Sequence, residues 1–180
     1  MTQQPNRKPM IIVIALFALP VVVAKLFLAL NWYEGGVTNR GQLLPVETNY
    51  QSLAIENPAP GKWQLVYAMP KDCMAACQKD IELLKNSVTA LGRKQDRVEP
   101  VILVKPEVSE AVQQQLKASG FLIQTANSQL PITTGASAIA DPLGNWVLSY
   151  QQRLIAQEQI QTSRDRLLDV KKLLKMSKVG

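Results

Sequence analysis

Trp63-Gln-Leu-Val-Tyr-Ala68, followed by Met69-Pro-Lys-Asp72 and then Cys73-Met-Ala-Ala-Cys77, is the stretch on which the fold turns. The first six residues are apolar and rich in strand formers, and Pro60-Gly61 and Pro70-Lys71-Asp72 bound them, which predicts a buried strand. Beyond the cysteines, Ile81, Leu84, Val88 and Leu91 recur at helical spacing, and Gly92 is placed to end the helix. A strand running through a short turn into an amphipathic helix, with two thiols at the junction, is the start of an α/β unit. Cys73 and Cys77 are the only cysteines of the chain, and histidine is absent. The commonest biological metal ligand is therefore missing, and any redox or soft-metal chemistry falls to sulfur.

Downstream, the same alternation continues. Val98 to Val104 reads as a second strand, Glu107 to Ala118 as a helix opened by Pro106 and closed by Gly120, and Phe121-Leu-Ile123 as a short strand. Ala136 to Ala140 and Trp146 to Tyr150 flank Asp141-Pro-Leu-Gly-Asn145, a strong hairpin turn. Ser163 is placed to cap a last helix through Lys175, with Leu167, Val170 and Leu174 on one face. The order β, α, β, α, β, hairpin, helix predicts a mixed sheet flanked by helices, with helices on both faces. No internal repeat or low-complexity tract interrupts it.

Upstream, Met10 to Leu30 is almost unbroken in its apolarity, with only Pro20 and Lys25 intervening. About 20 helical residues cross a bilayer core of about 30 Å. Arg7 and Lys8 precede this run, and Asn31-Trp32-Tyr33 follows it at the position favoured by headgroup-level aromatics. The positive-inside rule then leaves 1–9 in the cytoplasm, makes 10–32 the transmembrane anchor, and places the rest across the membrane, in the periplasm of a Gram-negative bacterium. The competing reading is a cleaved signal peptide ending near Val22-Val-Ala24. The anchor is preferred because the apolar run continues through Leu26 to Leu30. In either case the soluble part reaches a compartment where thiol pairs are oxidised. Residues 33–61, punctuated by Gly35-Gly36, Gly41, Pro45 and Pro58, read as a tether, with Leu43-Leu-Pro-Val46 as a short edge strand or docking segment. Residues 62–180 make the folded domain.

Cys73 is expected at the turn and Cys77 in the first turns of the helix. Residues four apart on a helix share a face, with Cα atoms about 6 Å apart, within reach of a disulfide. A helix N-terminus favours anions, so at least one thiol is expected to be acidic, helped by Lys71 and Lys79 and opposed by Asp72. So short a loop restrains the unfolded chain little, which weighs against a purely structural disulfide. Met69 and Met74 carry soft thioethers, yet a packing role is the preferred reading for both.

The segments Leu65-Val-Tyr67, Cys73-x-x-x-Cys77, Leu83-Leu84 and Asp141-Pro-Leu-Gly144 resemble the Sco family of copper chaperones for cytochrome c oxidase, over roughly residues 60–175. Asn39-Arg-Gly-Gln-Leu43 and the stretch from Val170 to Gly180 look closer still to small membrane-anchored proteins that accompany bacterial oxidase assembly genes. The resemblance implies a thioredoxin-like fold behind one membrane anchor. In Sco proteins copper is held by the two motif cysteines and a distal histidine. An ungapped match puts that histidine near Thr133, where this chain has Thr133-Thr134. Cys73 and Cys77 carry over as positions, and the three-ligand copper site does not.

Three functions remain open. The leading one is thiol–disulfide exchange at Cys73 and Cys77 in oxidase biogenesis, Cys73 attacking and Cys77 resolving, with oxidase subunits or copper chaperones as partners. The second is Cu(I) delivery by the same two sulfurs. The third is a non-catalytic assembly factor, for which the basic end Lys171, Lys172, Lys175 and Lys178 offers a surface, although a solvated helix end explains those lysines equally simply. A Ser-His dyad is excluded for want of histidine, and no Gly-rich phosphate loop is present. The basic excess of 20 Lys and Arg over 14 Asp and Glu fits anionic headgroups. It forms no patch interleaved with aromatics, so a nucleic-acid partner is not expected.

Overall fold

The computed structural model describes residues 7–30, 38–126 and 129–177, which divide into two units at Thr38/Asn39. The aromatic belt read at Trp32 and Tyr33, the first six residues and Lys178 lie outside the described residues.

The first unit is one helix, α1 (Lys8–Ala29), of 22 residues with Pro20 inside it. At a rise of about 1.5 Å per residue it spans about 33 Å, enough for a hydrocarbon core. Met10–Phe27 is apolar but for Lys25 and is unburied, and this helix is long and apolar enough to cross a membrane.

The second unit is a six-stranded mixed sheet in the order β1 (Gln42–Leu43), β6 (Trp146–Tyr150), β5 (Ser137–Ala140), β2 (Trp63–Ala68), β3 (Val98–Val104) and β4 (Leu122–Thr125). β2, β3 and β4 run parallel, and β5 and β6 return antiparallel through the Asp141–Asn145 turn. Gly144, at φ +92°, makes that turn possible, and the Asp141 carboxylate accepts from the Leu143 and Asn145 amides at 2.9 and 2.8 Å. β2 is central and every one of its residues is buried, which is why it reads as a continuous apolar run.

Strand alternation sorts the core in two. Leu65, Tyr67, Ile102, Ile139 and Leu148 face one way, and Val66, Ala68, Val101, Ala138 and Ala140 the other. Helices α2 (Ala75–Thr89), α3 (Glu110–Ala118) and α4 (Ala156–Met176) all send side chains into the first cluster, through Leu84, Leu116, Val170 and Leu174. The sheet is thus flanked by helices as expected, but they share one face rather than two. The reason is topological: β2 to β3 to β4 steps one strand at a time in one direction, so right-handed crossovers put their helices on the same side. The second face is covered by non-helical chain, with Leu44, Tyr50, Leu53, Ile55, Leu130 and Ile132 packed on it.

Two further differences concern where polar chain is held. Within the stretch 33–61 read as a tether, residues 39–61 are anchored to the domain at several points: β1 pairs with β6, and Tyr50 is 3% exposed with its hydroxyl donating to Gln64 at 2.7 Å. The last helix begins at Ala156, seven residues before Ser163. Ser163 is interior to α4, and its hydroxyl meets that of Ser87 on α2 at 3.0 Å. Its hydrogen-bonding capacity serves a helix–helix contact instead of a cap. Smaller shifts are of the usual kind: α3 starts at Glu110 rather than Glu107, and α2 ends at Thr89, with Gly92 at φ +59° opening a short 3-10 helix (Gly92–Arg97).

Candidate functional site

β2 leaves the sheet at Ala68, and Met69 is still buried, its amide bonded to the Leu103 carbonyl at 2.9 Å. Lys71 and Asp72 turn in solvent, Cys73 is half-buried, and Met74 is extended at the head of α2 and 75% exposed. Cys77 lies in the first turn of α2 and is 3% exposed. The two sulfurs form a disulfide, with Cα atoms 5.1 Å apart. The separation is shorter than the helical i, i+4 value because Cys73 stands outside the helix, on the incoming turn. The asymmetry matters chemically: one sulfur is partly open to an incoming group and the other is inside the core.

No side chain caps the N-terminus of α2, and its first turn holds no acid. The amides and the positive end of the helix favour a thiolate there after reduction, with Asp72 on the incoming turn opposing them. Lys79 is held by Glu82 at 2.9 Å, so of the two lysines expected to help, Lys71 is the one without a carboxylate partner among the described residues. Met69 belongs to the core, as its packing reading predicted, whereas Met74, given the same reading, projects from the head of α2 into solvent.

A cavity of about 430 Å³ opens at the carboxyl ends of β2 and β3, lined by Met69, Lys105, Ile132, Thr133 and Thr134 among others, with neither cysteine in its wall. The carboxyl end of a parallel sheet is where ligands usually enter. Thr133 stands here, at the place matched to the Sco histidine. Among the described residues, no group of three His, Cys, Asp or Glu converges.

Beneath the first turns of α2 is a polar cluster that the sequence did not disclose. Asp80 on α2, Tyr67 on β2, Ser137 on β5 and Gln159 and Arg166 on α4 line one small space. Arg166 is 4% exposed and donates to the Ser137 hydroxyl at 2.8 Å. Gln159 donates to the Ala76 carbonyl, between the cysteines, at 2.8 Å. Asp80 Oδ2, the Tyr67 hydroxyl and Arg166 Nε are buried without a well-formed hydrogen bond. Burial raises the Asp80 carboxyl above its ordinary range, while Gln159, the Arg166 charge and the nearby Tyr67 hydroxyl pull it back. Burial likewise lowers Arg166 to about 10, with Asp80 opposing the shift, and raises Tyr67. Nothing in the sequence singled out Arg166, since the buried face of α4 also carries Gln159 and Asp169, and nothing linked it to Asp80.

The expected site residues come together where the spacing placed them, but the comparisons add family rather than chemistry. No curated protein matches the chain. Among solved structures it is similar to Bradyrhizobium japonicum ScoI with copper bound, at 15% identity over 69% of this chain and 97% of that one, TM-score 0.39. It is also similar to yeast Sco1 with copper bound (13% identity, 77% and 90%, TM-score 0.49). A variant of Xanthomonas campestris peroxiredoxin Q gives 15% identity, 63% and 80%, and TM-score 0.42. At such identities and scores none of them speaks for the chemistry of this chain. A family model does match, over residues 63–177, the span that begins with the decisive strand and ends with the last helix. The chain therefore belongs to the family described as transmembrane-like, thioredoxin-like, C-terminal domain.

Proposed function

We propose that this protein is a membrane-anchored thiol–disulfide exchange factor of the bacterial inner membrane, with its thioredoxin-like domain in the periplasm, working in cytochrome c oxidase biogenesis. One observation carries the exchange reading: a disulfide at a helix N-terminus whose first sulfur is half-buried and whose second is sealed. That asymmetry suits an attacking Cys73 and a resolving Cys77, because exchange requires an accessible thiolate and a second thiol behind it. The membrane assignment is supported by α1 and by Arg7 and Lys8 on its N-terminal side. The oxidase assignment rests on the sequence resemblance, and oxidase copper subunits or copper chaperones are the partners it suggests.

The full chain in detergent micelles, reduced and given insulin and dithiothreitol, is expected to accelerate insulin disulfide reduction. Cys73→Ser is expected to return the rate to that of dithiothreitol alone. An equal rate in the variant, or no acceleration by the wild type, rejects the reading.

Cu(I) transfer is the second reading. It is favoured by two sulfurs close enough to bond, which after reduction suit linear coordination of a soft cation. Here Cu(I) is cargo. Anaerobic titration of the reduced chain against a strong Cu(I) chelator decides: failure to compete removes it. If both tests fail, a scaffolding role is left.

A further inference from the structure

The basic excess of the chain is concentrated at one end of the folded domain. The last turns of α4 carry Lys171, Lys172 and Lys175, and the 3-10 helix Gly92–Arg97 carries Arg93, Lys94 and Arg97. Arg97 joins the two elements: its guanidinium donates to the Leu174 carbonyl at 3.1 Å and to the Ser177 carbonyl at 3.0 Å. Against these cations the same two segments set two carboxylates, Asp96 and Asp169. Asp169 is buried and taken up by Arg40, Gly41 and Tyr150, which leaves Asp96 to oppose the cations at the surface.

Lysines gather at helix ends simply to offset the dipole and to serve the last carbonyls. Here Arg97 already occupies two of those carbonyls. Arg93 and Lys94, moreover, belong to a different element. These two, Lys171 and Lys175 are all exposed, with no carboxylate in ion-pair contact among the described residues. Like charges held together without counter-charges repel one another, and a bound anionic surface relieves that repulsion.

The apolar content of the same face indicates which anion. Leu168, Lys171 and Lys175 follow at spacings that put them on one stripe of α4, and Met176 adjoins it. Leu168 and Met176 are exposed among the lysines. Apolar side chains flanked by lysines suit the boundary between headgroups and acyl chains, where ammonium groups meet phosphates. Lipid is also at hand, because the same chain carries α1, and a tethered surface is met at high effective concentration.

We propose that this basic end docks on anionic lipid headgroups, an inference that rests on the membrane part of the proposed function and not on its exchange chemistry. The contacts are made by Arg93, Lys94, Lys171 and Lys175, with Leu168 and Met176 entering the headgroup layer. The consequence is orientation. α4 begins beside the disulfide, where Gln159 donates to the Ala76 carbonyl, and ends at the basic pole. From Gln159 to Lys175 it runs about 24 Å. Headgroups held at one end therefore leave Cys73 at the other, presented to partners on the aqueous side.

The test reconstitutes the full chain in nanodiscs of phosphatidylcholine alone or of phosphatidylcholine mixed with phosphatidylglycerol. Acylation of lysines by an N-hydroxysuccinimide ester is followed site by site by mass spectrometry. Lys94, Lys171 and Lys175 are expected to react about fivefold or more slowly in the anionic discs, as the attraction of each cation to such a surface implies. Lys71 and Lys105, at the disulfide end, are expected to keep their rates, and added salt is expected to abolish the difference. Lys171→Gln combined with Lys175→Gln is expected to release the face, so that Lys94 in anionic discs reacts nearly as fast as in neutral ones. Thermal melts check that this variant is folded; should it not be, the wild-type comparison decides alone. Equal rates at Lys94, Lys171 and Lys175 in the two kinds of disc overturn the inference and leave an acidic protein face as the partner for this pole. Equal slowing at Lys71 and Lys105 also overturns it, since the attraction is then diffuse. A folded variant whose Lys94 stays shielded does the same. A chain that fails to co-purify with the discs overturns the membrane reading itself.

Discussion

Two carboxylates sit in the layer between helices and sheet, each beside a tyrosine, and they are treated in opposite ways. Asp169 on α4 is 4% exposed and saturated: it accepts from the Arg40 amide at 2.9 Å, the Gly41 amide at 2.9 Å and the Tyr150 hydroxyl at 2.7 Å. Asp80, beside Tyr67, has a buried oxygen without a well-formed hydrogen bond among the described residues. The first cluster uses its polar groups to hold chain together, pinning residues 39–41 to the domain. The second leaves Asp80 Oδ2, the Tyr67 hydroxyl and Arg166 Nε without a well-formed bond among the described residues, one helical turn from the disulfide. A satisfied polar network specifies structure, and an unsatisfied one next to a reactive centre points to chemistry.

The comparison can be broken by mutation, most severely at its saturated end. Asp169→Ala leaves two amides and a hydroxyl unpaired in the interior, and is expected to lower the unfolding free energy by about 3–5 kcal/mol, at roughly 1–3 kcal/mol for each orphaned group with partial relief by water. Urea unfolding of the full chain in micelles measures it. Loss below about 1 kcal/mol would mean that the clip on residues 39–41 contributes little.

Gly41→Ala probes the same clip by crowding. A Cβ there would lie 2.7 Å from Cζ of Tyr150, whose hydroxyl is tied to Asp169. The ring can yield only by disturbing that bond, so a loss of about 1–3 kcal/mol is expected on overpacking grounds. A variant as stable as the wild type shows that the segment shifts freely.

The two tyrosines sharpen the contrast most directly, with the smallest effects. Tyr150→Phe removes a made hydrogen bond to a carboxylate and is expected to lose about 1.5–3 kcal/mol. Tyr67→Phe removes a buried hydroxyl whose contact with Asp80 falls short of a well-formed hydrogen bond, and is expected to cost less than about 1 kcal/mol in the same unfolding experiment. Equal losses in the two variants would erase the difference drawn between the clusters.

What could be read in the chain follows contact distance along it. Strands 63–68 and 98–104 and the hairpin strand 146–150 stand where the apolar runs put them, because a strand buried on both faces needs no partner to be recognised in sequence. The disulfide was also legible, since both sulfurs lie within five residues and one turn of helix brings them together. The start of α4 was not. Residues 156–162 hold one large apolar side chain, Ile160, and that one is 43% exposed, so hydrophobic periodicity had nothing to report. That turn is held instead by polar contacts to α2, from Gln159 to Ala76 and from Ser163 to Ser87. Residues 39–61 read as a tether for the same reason: their turn residues were visible, and their anchors were not.

By itself the sequence determined an apolar N-terminal helix, an α/β domain with a central buried strand, and a pair of thiols at a strand-to-helix junction. These are local properties, set by composition and period over a few residues. Tertiary structure alone decided which face the helices share, that Arg40 and Asp169, 129 positions apart, fasten the entering chain, and that Asp80 and Arg166 meet near Cys77. Such pairings depend on crossover handedness and on where each buried polar group finds, or fails to find, its partner, and no short window of residues carries that information.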